Sequence, residues 1–270
     1  MSEDILLSIK DFSEATGIKQ TTLRYYDELG LFSPIERSSS GYRYYSAQQI
    51  ITVNILRVLG DLGYNTKQMS EFVRNRAPES MLDFFMSCEG HLEDELRRLH
   101  SMHDVVSTFR RLIHTGLSAD ESTTSVQYRD AMNIIKGPDN SFSRHNGFTE
   151  DFVRFCESAG RYKINLSLPV GGVFCDKEKW LISPDEPSNF FSIDPRGTEK
   201  REAGNYLIGH TRGYYGNSGG LPERMTGYAE EHGLEIVGPV YNIYILDEIS
   251  VKNPEQYLLE TAVKVIPKST

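Results

Sequence analysis

The stretch "TTLRYYDELGLFSPIERSSSGYRYYS", residues 21–46, places arginines beside tyrosines on both sides of a polar turn. The serines at 38–40 and Gly41 interrupt the chain, and the aromatic residues after them favour extended structure, which predicts a short hairpin. Guanidinium and tyrosine hydroxyl groups both donate hydrogen bonds to phosphate oxygens. The hairpin is therefore either a phosphate-binding surface or an ordinary hairpin with half-buried tyrosines and solvated arginines.

Two helices are predicted before this hairpin. Ser8 and Asp11 form a capping-box pattern for a helix over about 9–15, and Gly17 ends it. A second helix, over about 19–29, buries Leu23 and turns Arg24 outward. The small residue Ser13 lets the helices cross, and Gly17 takes the turn, which is the spacing of a helix-turn-helix.

Two further helices follow the hairpin. Ser46 with Gln49 caps one of them, and Thr66 begins a shorter one. Helix, turn, helix, hairpin, helix, helix is the order of a winged helix-turn-helix. In that fold the hairpin is the wing, and its arginines and tyrosines bind phosphates beside the groove that the second helix enters.

The same stretch resembles the DNA-binding domain of the MerR family of transcription regulators. The family pattern T-x-R-Y-Y-x-x-x-G-L, then P, R and G-Y-R-x-Y, is present in register from Thr22 to Tyr45, and the one mild departure is Ser13 where alanine is common. The resemblance implies DNA contacts from the second helix and the wing. These residues are Lys19, Gln20, Thr22, Arg24, Tyr25, Arg37, Gly41, Tyr42 and Arg43.

The composition is that of a soluble globular chain of two domains, with 270 residues, 39% of them hydrophobic. Residues 1–76 hold as many basic as acidic side chains, so the net charge of −9 arises downstream. No secretory signal or membrane span is predicted, which indicates a cytoplasmic protein. Cys88, Cys156 and Cys175 stand far apart, so neither a metal site nor a disulfide framework is expected, and no cofactor is predicted.

A long amphipathic helix is predicted over about 79–114. Steps of three and four from Leu82 to Ile113 meet mostly apolar residues, which is a moderate heptad signal, although a helix packed on its own domain shows a similar stripe. A helix of this length, on the order of 50 Å, is too long for a small winged-helix domain to cover. The MerR resemblance implies an antiparallel coiled coil in a homodimer. Because Cys88 stands alone, the metal-sensing and iron-sulfur branches are rejected.

The C-terminal half contains a faint repeat. "GFTEDFVRFCESAG" with "LPVGGVF" parallels "GGLPERMTGYAEEHG" with "GPVYNIYI", each a helix ending in glycine followed by a strand. Strands over roughly 126–135 and 204–213 precede the two helices, and strands near 189–194 and 257–266 close the units. The sequence thus predicts two β-α-β-β units in one pseudo-twofold sheet with its helices on one face.

This half resembles the gyrase-inhibitor-like (GyrI-like) effector-binding domain of the multidrug-sensing, BmrR-type branch of the MerR family. "GPVYNIYI" and "PEQYLLETAVKVIP" carry the likeness. It implies a ligand groove between the repeats, with aromatic walls and a buried carboxylate at Glu260, whereas Asn242 stands where relatives often have a second one. The candidate ring residues, each of which has ordinary core packing as its alternative, are Tyr128, Phe174, Trp180, Tyr206, Tyr241 and Tyr244.

The predicted fold class is α+β multidomain. Its parts are a winged helix-turn-helix domain at 1–76, a coiled-coil dimerisation helix at 77–116, a linker at 117–125 and a duplicated βαββ effector-binding domain at 126–270. The predicted function is a transcription activator that binds promoter DNA as a homodimer, distorts an over-long promoter spacer for RNA polymerase holoenzyme and responds to a cationic aromatic molecule. A GyrI-like hydrolase fused to a DNA-binding head and a passive nucleoid or repressor protein are the alternatives.

Overall fold

The computed structural model of the chain describes residues 6–74, 77–142, 147–197 and 199–268. The predicted domain boundary after residue 76 falls on residues outside this part. Within it, no helix is both long enough and apolar enough to cross a bilayer. The chain divides into two compact units, Met1–Leu96 and Arg97–Thr270.

The first unit has the predicted winged-helix order. Its elements are β1 (Leu6–Ser8), α1 (Ile9–Thr16), α2 (Gln20–Glu28), β2 (Glu36–Arg37), β3 (Arg43–Ser46), α3 (Gln49–Asp61), α4 (Thr66–Arg74) and the first part of α5 (Pro78–Ser118). The predicted cap of α1 is confirmed, because the Asp11 backbone N–H donates to the Ser8 hydroxyl at 3.3 Å. Gly17 ends α1 in the left-handed region at φ 68°, where a side chain would be strained.

An aromatic core joins the wing to the helices. The Tyr45 ring stacks on Phe12 at 4.5 Å and on Phe32 at 5.7 Å between ring centroids, and all three side chains are buried. β3 is the central strand of a small sheet of order β1-β3-β2. Of the tyrosines in the wing motif, Tyr45 therefore packs in the core, whereas Tyr42 is exposed.

Helix α5 has 41 residues, slightly more than predicted. At 1.5 Å per residue it extends for about 60 Å. A row of large apolar side chains on it is exposed: Leu82, Phe85, Met86, Leu92, Leu96, Leu99, Met102 and Val106. Most of these belong to the predicted stripe, so the described residues leave most of the stripe uncovered.

The second unit contains an eight-stranded antiparallel sheet of order β4-β9-β11-β10-β6-β7-β5-β8. The strands are β4 (Thr124–Arg129), β5 (Met132–Asp139), β6 (Val170–Phe174), β7 (Asn189–Ile193), β8 (Glu199–Arg201), β9 (Gly204–Arg212), β10 (Leu234–Leu246) and β11 (Leu258–Pro267). The helices are α6 (Gly147–Glu157), α7 (Ala159–Tyr162), α8 (Lys177–Ile182) and α9 (Leu221–Glu231), with a 3-10 turn at Pro254–Gln256.

The sheet order shows the predicted duplication. β5, α6, β6 and β7 form one unit, and β9, α9, β10 and β11 form the other. In each unit the third strand lies between the first two, and the second strands, β6 and β10, pair antiparallel at the centre. This mirrored order is the pseudo-twofold arrangement that the sequence predicts.

The single strand predicted over 126–135 is wrong. The strand is interrupted at Asp130 and Ala131. As a result, β4 lies at one edge of the sheet and β5 lies next to the other edge. A link of two residues spans only about 10 Å. The sheet must therefore curl until its two ends approach each other, and Arg201 of β8 accordingly lies 5.0 Å from the ring centroid of Tyr206 in β9.

The curled sheet buries side chains on both faces. One face packs the C-terminal part of α5 through Leu112 against residues such as Tyr206, Tyr241 and Ala262. The other packs α9 through residues such as Met225 and Val263. Because successive residues of a strand point to opposite faces, neighbouring positions of β10 and β11 serve different surfaces.

Candidate DNA-binding surface and ligand cavity

Helix α2 presents a polar outer surface. Leu23 and Asp27 are buried, and Lys19, Arg24 and Tyr25 are exposed, with 49% of Tyr25 accessible. The predicted contact residues Gln20 and Thr22 are half-buried on the same helix. The exposed set therefore combines two cations with a ring, which suits contact with a phosphate backbone.

The wing is a tight hairpin between β2 and β3. The Gly41 backbone N–H donates to the Ser38 carbonyl at 2.9 Å, and Gly41 has φ 84°, a conformation that favours glycine. Tyr42 at the tip is 68% exposed. Gly41 and Tyr42 thus lie where the predicted wing contacts require them, and their role in DNA binding stays a prediction.

Both wing arginines are held by one carboxylate of α2. Arg37 Nη2 donates to both oxygens of Asp27 at 2.7 Å, and Arg43 Nε donates to Asp27 Oδ2 at 2.6 Å. The hydrogen bond that Arg43 donates to Asp27 raises the pKa of Arg43 above its ordinary value. The sequence predicted either phosphate-binding or solvated arginines, and their shared partner Asp27, which lies inside the quoted motif, was missed.

A cavity of about 660 Å³ lies in the second unit where the two repeats meet. Its floor includes Gly172 of β6, Asn242 of β10 and Leu259 of β11. Helix α6 and the segment that follows β9 form walls through Phe148 and Tyr215, whose ring centroids are 6.3 Å apart. The cavity therefore occupies the groove between the repeats, on the face of the sheet that carries α9.

Aromatic side chains form part of the lining of the cavity. Seven rings contribute: Phe109, Phe148, Phe152, Phe190, Tyr214, Tyr215 and Tyr244. Tyr215 packs edge-on against Tyr244 at 4.6 Å between ring centroids. Burial raises the pKa of Tyr244 to about 12, so its hydroxyl stays neutral and donates to the Tyr214 carbonyl at 3.0 Å.

Three carboxylates also line the cavity: Asp185, Asp247 and Glu248. Burial raises the pKa of Asp247 above its ordinary value, and the Tyr215 hydroxyl donates to Glu248. Asp185 accepts from the Ser218 backbone N–H at 2.8 Å. Among the lining residues in the described part of the chain there is no lysine, arginine or histidine, so the cavity has a negative character.

The sequence-predicted ligand residues are distributed over several places. Of them, Tyr244 lines the cavity. Phe174 and Trp180 are fully buried in the cluster beneath α9, and Tyr206 and Tyr241 are buried on the opposite face of the sheet. Tyr128 on the edge strand β4 is 67% exposed.

Glu260 is buried but does not line the cavity. It follows Leu259, which does, and so points to the opposite face, where Arg129 Nη2 donates to Glu260 Oε2 at 2.9 Å and His210 Nε2 lies 3.4 Å from the same oxygen. Burial alone would raise the pKa of Glu260, but His210 and Arg129 hold it below its ordinary value. The negative charge of Glu260 is therefore already balanced by Arg129 of the same chain.

The cavity residues that sequence reasoning missed come from segments without strand periodicity. The pair Tyr214 and Tyr215 follows Gly213, and Asp247 with Glu248 follows β10 directly. Two adjacent tyrosines after a glycine, and two adjacent acids after an apolar strand, are the signals that could have indicated them. Among the described residues, no cluster of histidine, cysteine and carboxylate side chains suits a metal ion.

This chain is similar to one family model and to several known proteins. Residues 8–45 match the family model for the MerR family regulatory protein. The Multidrug-efflux transporter 2 regulator of Bacillus subtilis (strain 168) is 26% identical over 263 residues, covering 94% of this chain and 95% of that protein. The HTH-type transcriptional regulator CueR of Salmonella typhi is 33% identical over 103 residues, covering 36% of this chain and 75% of that protein. The cryo-EM structure of the EcmrR–DNA complex in EcmrR-RPo covers 97% of this chain and all of its own, with 15% identity and a TM-score of 0.38.

Proposed function

This chain belongs to the MerR family of regulatory proteins, which are DNA-binding transcription regulators, and we propose that it activates a promoter in response to a lipophilic aromatic cation held in the cavity between its repeats. The observation that carries the proposal is the lining of that cavity, in which seven rings and three carboxylates occur without a basic side chain among the described residues. The Bacillus relative that matches nearly the whole chain is named as a regulator of a multidrug-efflux transporter, which is compatible with a drug-sized effector.

The rings suit a flat or bulky cation. An aromatic face attracts a cation within about 6 Å of the ring centroid, and this attraction grows when water is excluded. A volume of about 660 Å³ falls within the range of sites that hold drug-sized ligands, roughly 300–1,000 Å³. The cavity thus combines shape and chemistry for one lipophilic cation.

The carboxylates supply the opposite charge. Asp247 is costly to keep ionised because it is half-buried, and a nearby cation lowers that cost. Glu248 stands at the exposed rim and accepts from Tyr215, which links a charge to a ring of the wall. We therefore assign the reading of ligand charge to Asp247 and Glu248 instead of Glu260.

The test is a calorimetric titration with methyltriphenylphosphonium and with triphenylphosphine oxide, which is close to it in shape but neutral. The binding free energy of the cation should be more favourable by on the order of 1–3 kcal/mol, because a neutral ligand leaves the carboxylates without a counter-charge. The double substitution Asp247→Asn and Glu248→Gln should remove most of this preference. Glu231→Gln on the exposed end of α9 changes charge outside the cavity and should preserve it.

Two results would contradict the assignment. Equal binding of the two ligands by the wild-type protein would show that the cavity does not read charge. Preference for the cation that survives the double substitution would place the charge-reading residue elsewhere, with Glu260 the first candidate. A third result concerns the proposed effector: if the cation binds neither the wild-type protein nor the double variant, the proposal that the chain senses lipophilic cations is contradicted.

The promoter-binding part of the proposal rests on the first unit. The exposed residues of α2 and of the wing tip give a surface of the winged helix-turn-helix kind, in which a helix enters the major groove. The uncovered apolar row of α5 supports a homodimer, which would present two such surfaces to one promoter. In this proposal, RNA polymerase holoenzyme is the partner, and distortion of an over-long promoter spacer is the means of activation.

The hydrolase alternative is not favoured. The relative that matches nearly the whole chain is a regulator by name, and so is the relative matched by the DNA-binding part. A chain that binds DNA through one unit and a small molecule through the other meets the requirements of a regulator without a catalytic step.

A further inference from the structure

A buried carboxylate links the recognition helix to both strands of the wing. The Asp27 side chain on α2 is 2% exposed and accepts hydrogen bonds from Arg37 at the end of β2 and from Arg43 at the start of β3. The donor-to-acceptor distances of 2.6–2.7 Å are those of charge-assisted bonds.

The arrangement solves an electrostatic problem in the wing. Arg37 and Arg43 are directly opposite in the register of β2 and β3, and like charges at such positions repel. Asp27 accepts from both and balances one of the two charges. In return, the two arginines satisfy a carboxylate that would otherwise be buried without partners.

The same contacts fix a geometric relation. Arg24 and Tyr25 lie on α2 just before Asp27, and Tyr42 lies between the two arginines at the wing tip. Any shift of the wing along α2 would lengthen the bonds to Asp27. Each guanidinium has more N–H donors than Asp27 uses, so both arginines keep donors for phosphate oxygens.

We propose that Asp27 is a positioning residue for DNA recognition, whose carboxylate sets the wing against the recognition helix so that both reach one DNA site together. This inference rests on the proposed DNA-binding function. It goes beyond it by assigning a role in DNA binding to an acidic side chain that repels phosphate and would not itself contact DNA.

The charge of Asp27 makes the inference testable, because two effects have opposite signs. Removing a negative charge near a DNA-binding surface strengthens binding to any DNA through simple electrostatics. Losing the positioning contact weakens binding to a specific site alone, since only that site requires helix and wing in a fixed relation. Glu28 is adjacent on α2 and exposed, so Glu28→Gln gives the same charge change without the contact.

The experiment uses the full chain and two probes at one salt concentration. The specific probe is a short duplex selected from a random-sequence pool by the wild-type protein, and the non-specific probe is poly(dI-dC). Asp27→Asn should lower affinity for the selected duplex about tenfold or more while raising that for poly(dI-dC) roughly two- to threefold, as lost charge-assisted bonds and lost repulsion require. Glu28→Gln should raise both slightly.

The conservative variant Asp27→Glu keeps the charge and moves it by one methylene. It should bind the selected duplex between the wild-type and Asp27→Asn values and leave poly(dI-dC) affinity unchanged. If Asp27→Asn behaves like Glu28→Gln on both probes, the positioning role is refuted. If Asp27→Asn does not fold, Asp27→Glu decides, and an unchanged ratio of the two affinities refutes the role. A wild-type protein that selects no sequence would overturn the proposed function itself.

Discussion

Two adjacent residues of β11 have different functions because a strand turns alternate side chains to opposite faces. Leu259 lines the cavity, whereas Glu260 faces Arg129 and His210 on the other side of the sheet. A buried carboxylate with two such neighbours needs no external cation. Glu260 thus belongs to the interior of the sheet, and its expected effect is on stability.

Glu260→Gln should lower the free energy of unfolding by roughly 2–4 kcal/mol, because the substitution leaves the half-buried Arg129 without its counter-charge. Urea denaturation of both proteins measures the loss. The preference for methyltriphenylphosphonium over triphenylphosphine oxide should be unchanged. Unaltered stability together with a lost preference would instead return Glu260 to the ligand site.

Helix α5 is the element whose sequence pattern and structure agree most closely. The heptad steps mark positions that the structure leaves exposed, including Leu82, Leu92, Leu96 and Leu99. An exposed apolar row of this length needs a partner surface. A second copy of the same helix offers one, as the MerR resemblance implies.

Leu96→Asp should convert the dimer into a monomer, because it places an unpaired charge in the middle of the buried contact, at a cost of several kcal/mol. Sedimentation velocity measures the change, and binding to the selected duplex should fall with it. His91→Asp is the control, since His91 is exposed and lies away from the row on the same helix. A Leu96→Asp protein that stays dimeric would assign the row to another partner.

The β elements show where a local pattern fails. Alternation of apolar residues resumes at Val126 and continues past Asp130, so it predicts one strand. The pairing of β4 with β9 and of β5 with β7 separates its two halves, and that choice depends on the curl of the whole sheet. The repeat can be recognised despite its low sequence similarity, because the order of helices and strands follows from local sequence patterns.

At the scale of the whole molecule, the sequence predicts the units better than the site. The winged helix, the long helix and the duplicated sheet each follow from local spacing and from one long motif. The cavity does not, because it joins Phe148, Tyr215 and Glu248 from three separate segments. Of the aromatic residues predicted to form the walls, Tyr244 lines the cavity. The others do not, because the curl of the sheet decides which rings come together. In the wing, the motif identified the arginines but not their bond to Asp27.

The most direct test of the account is run-off transcription with RNA polymerase holoenzyme on the chain's own upstream region, with and without methyltriphenylphosphonium. A regulator that distorts a promoter it already occupies should raise transcript several-fold while its affinity for the same DNA changes little, because the ligand then shifts the conformation of a bound complex. The Asp247→Asn and Glu248→Gln double variant should bind that DNA normally and lose the response. A ligand that releases the wild-type protein from the DNA, or that leaves transcription unchanged, would contradict the account.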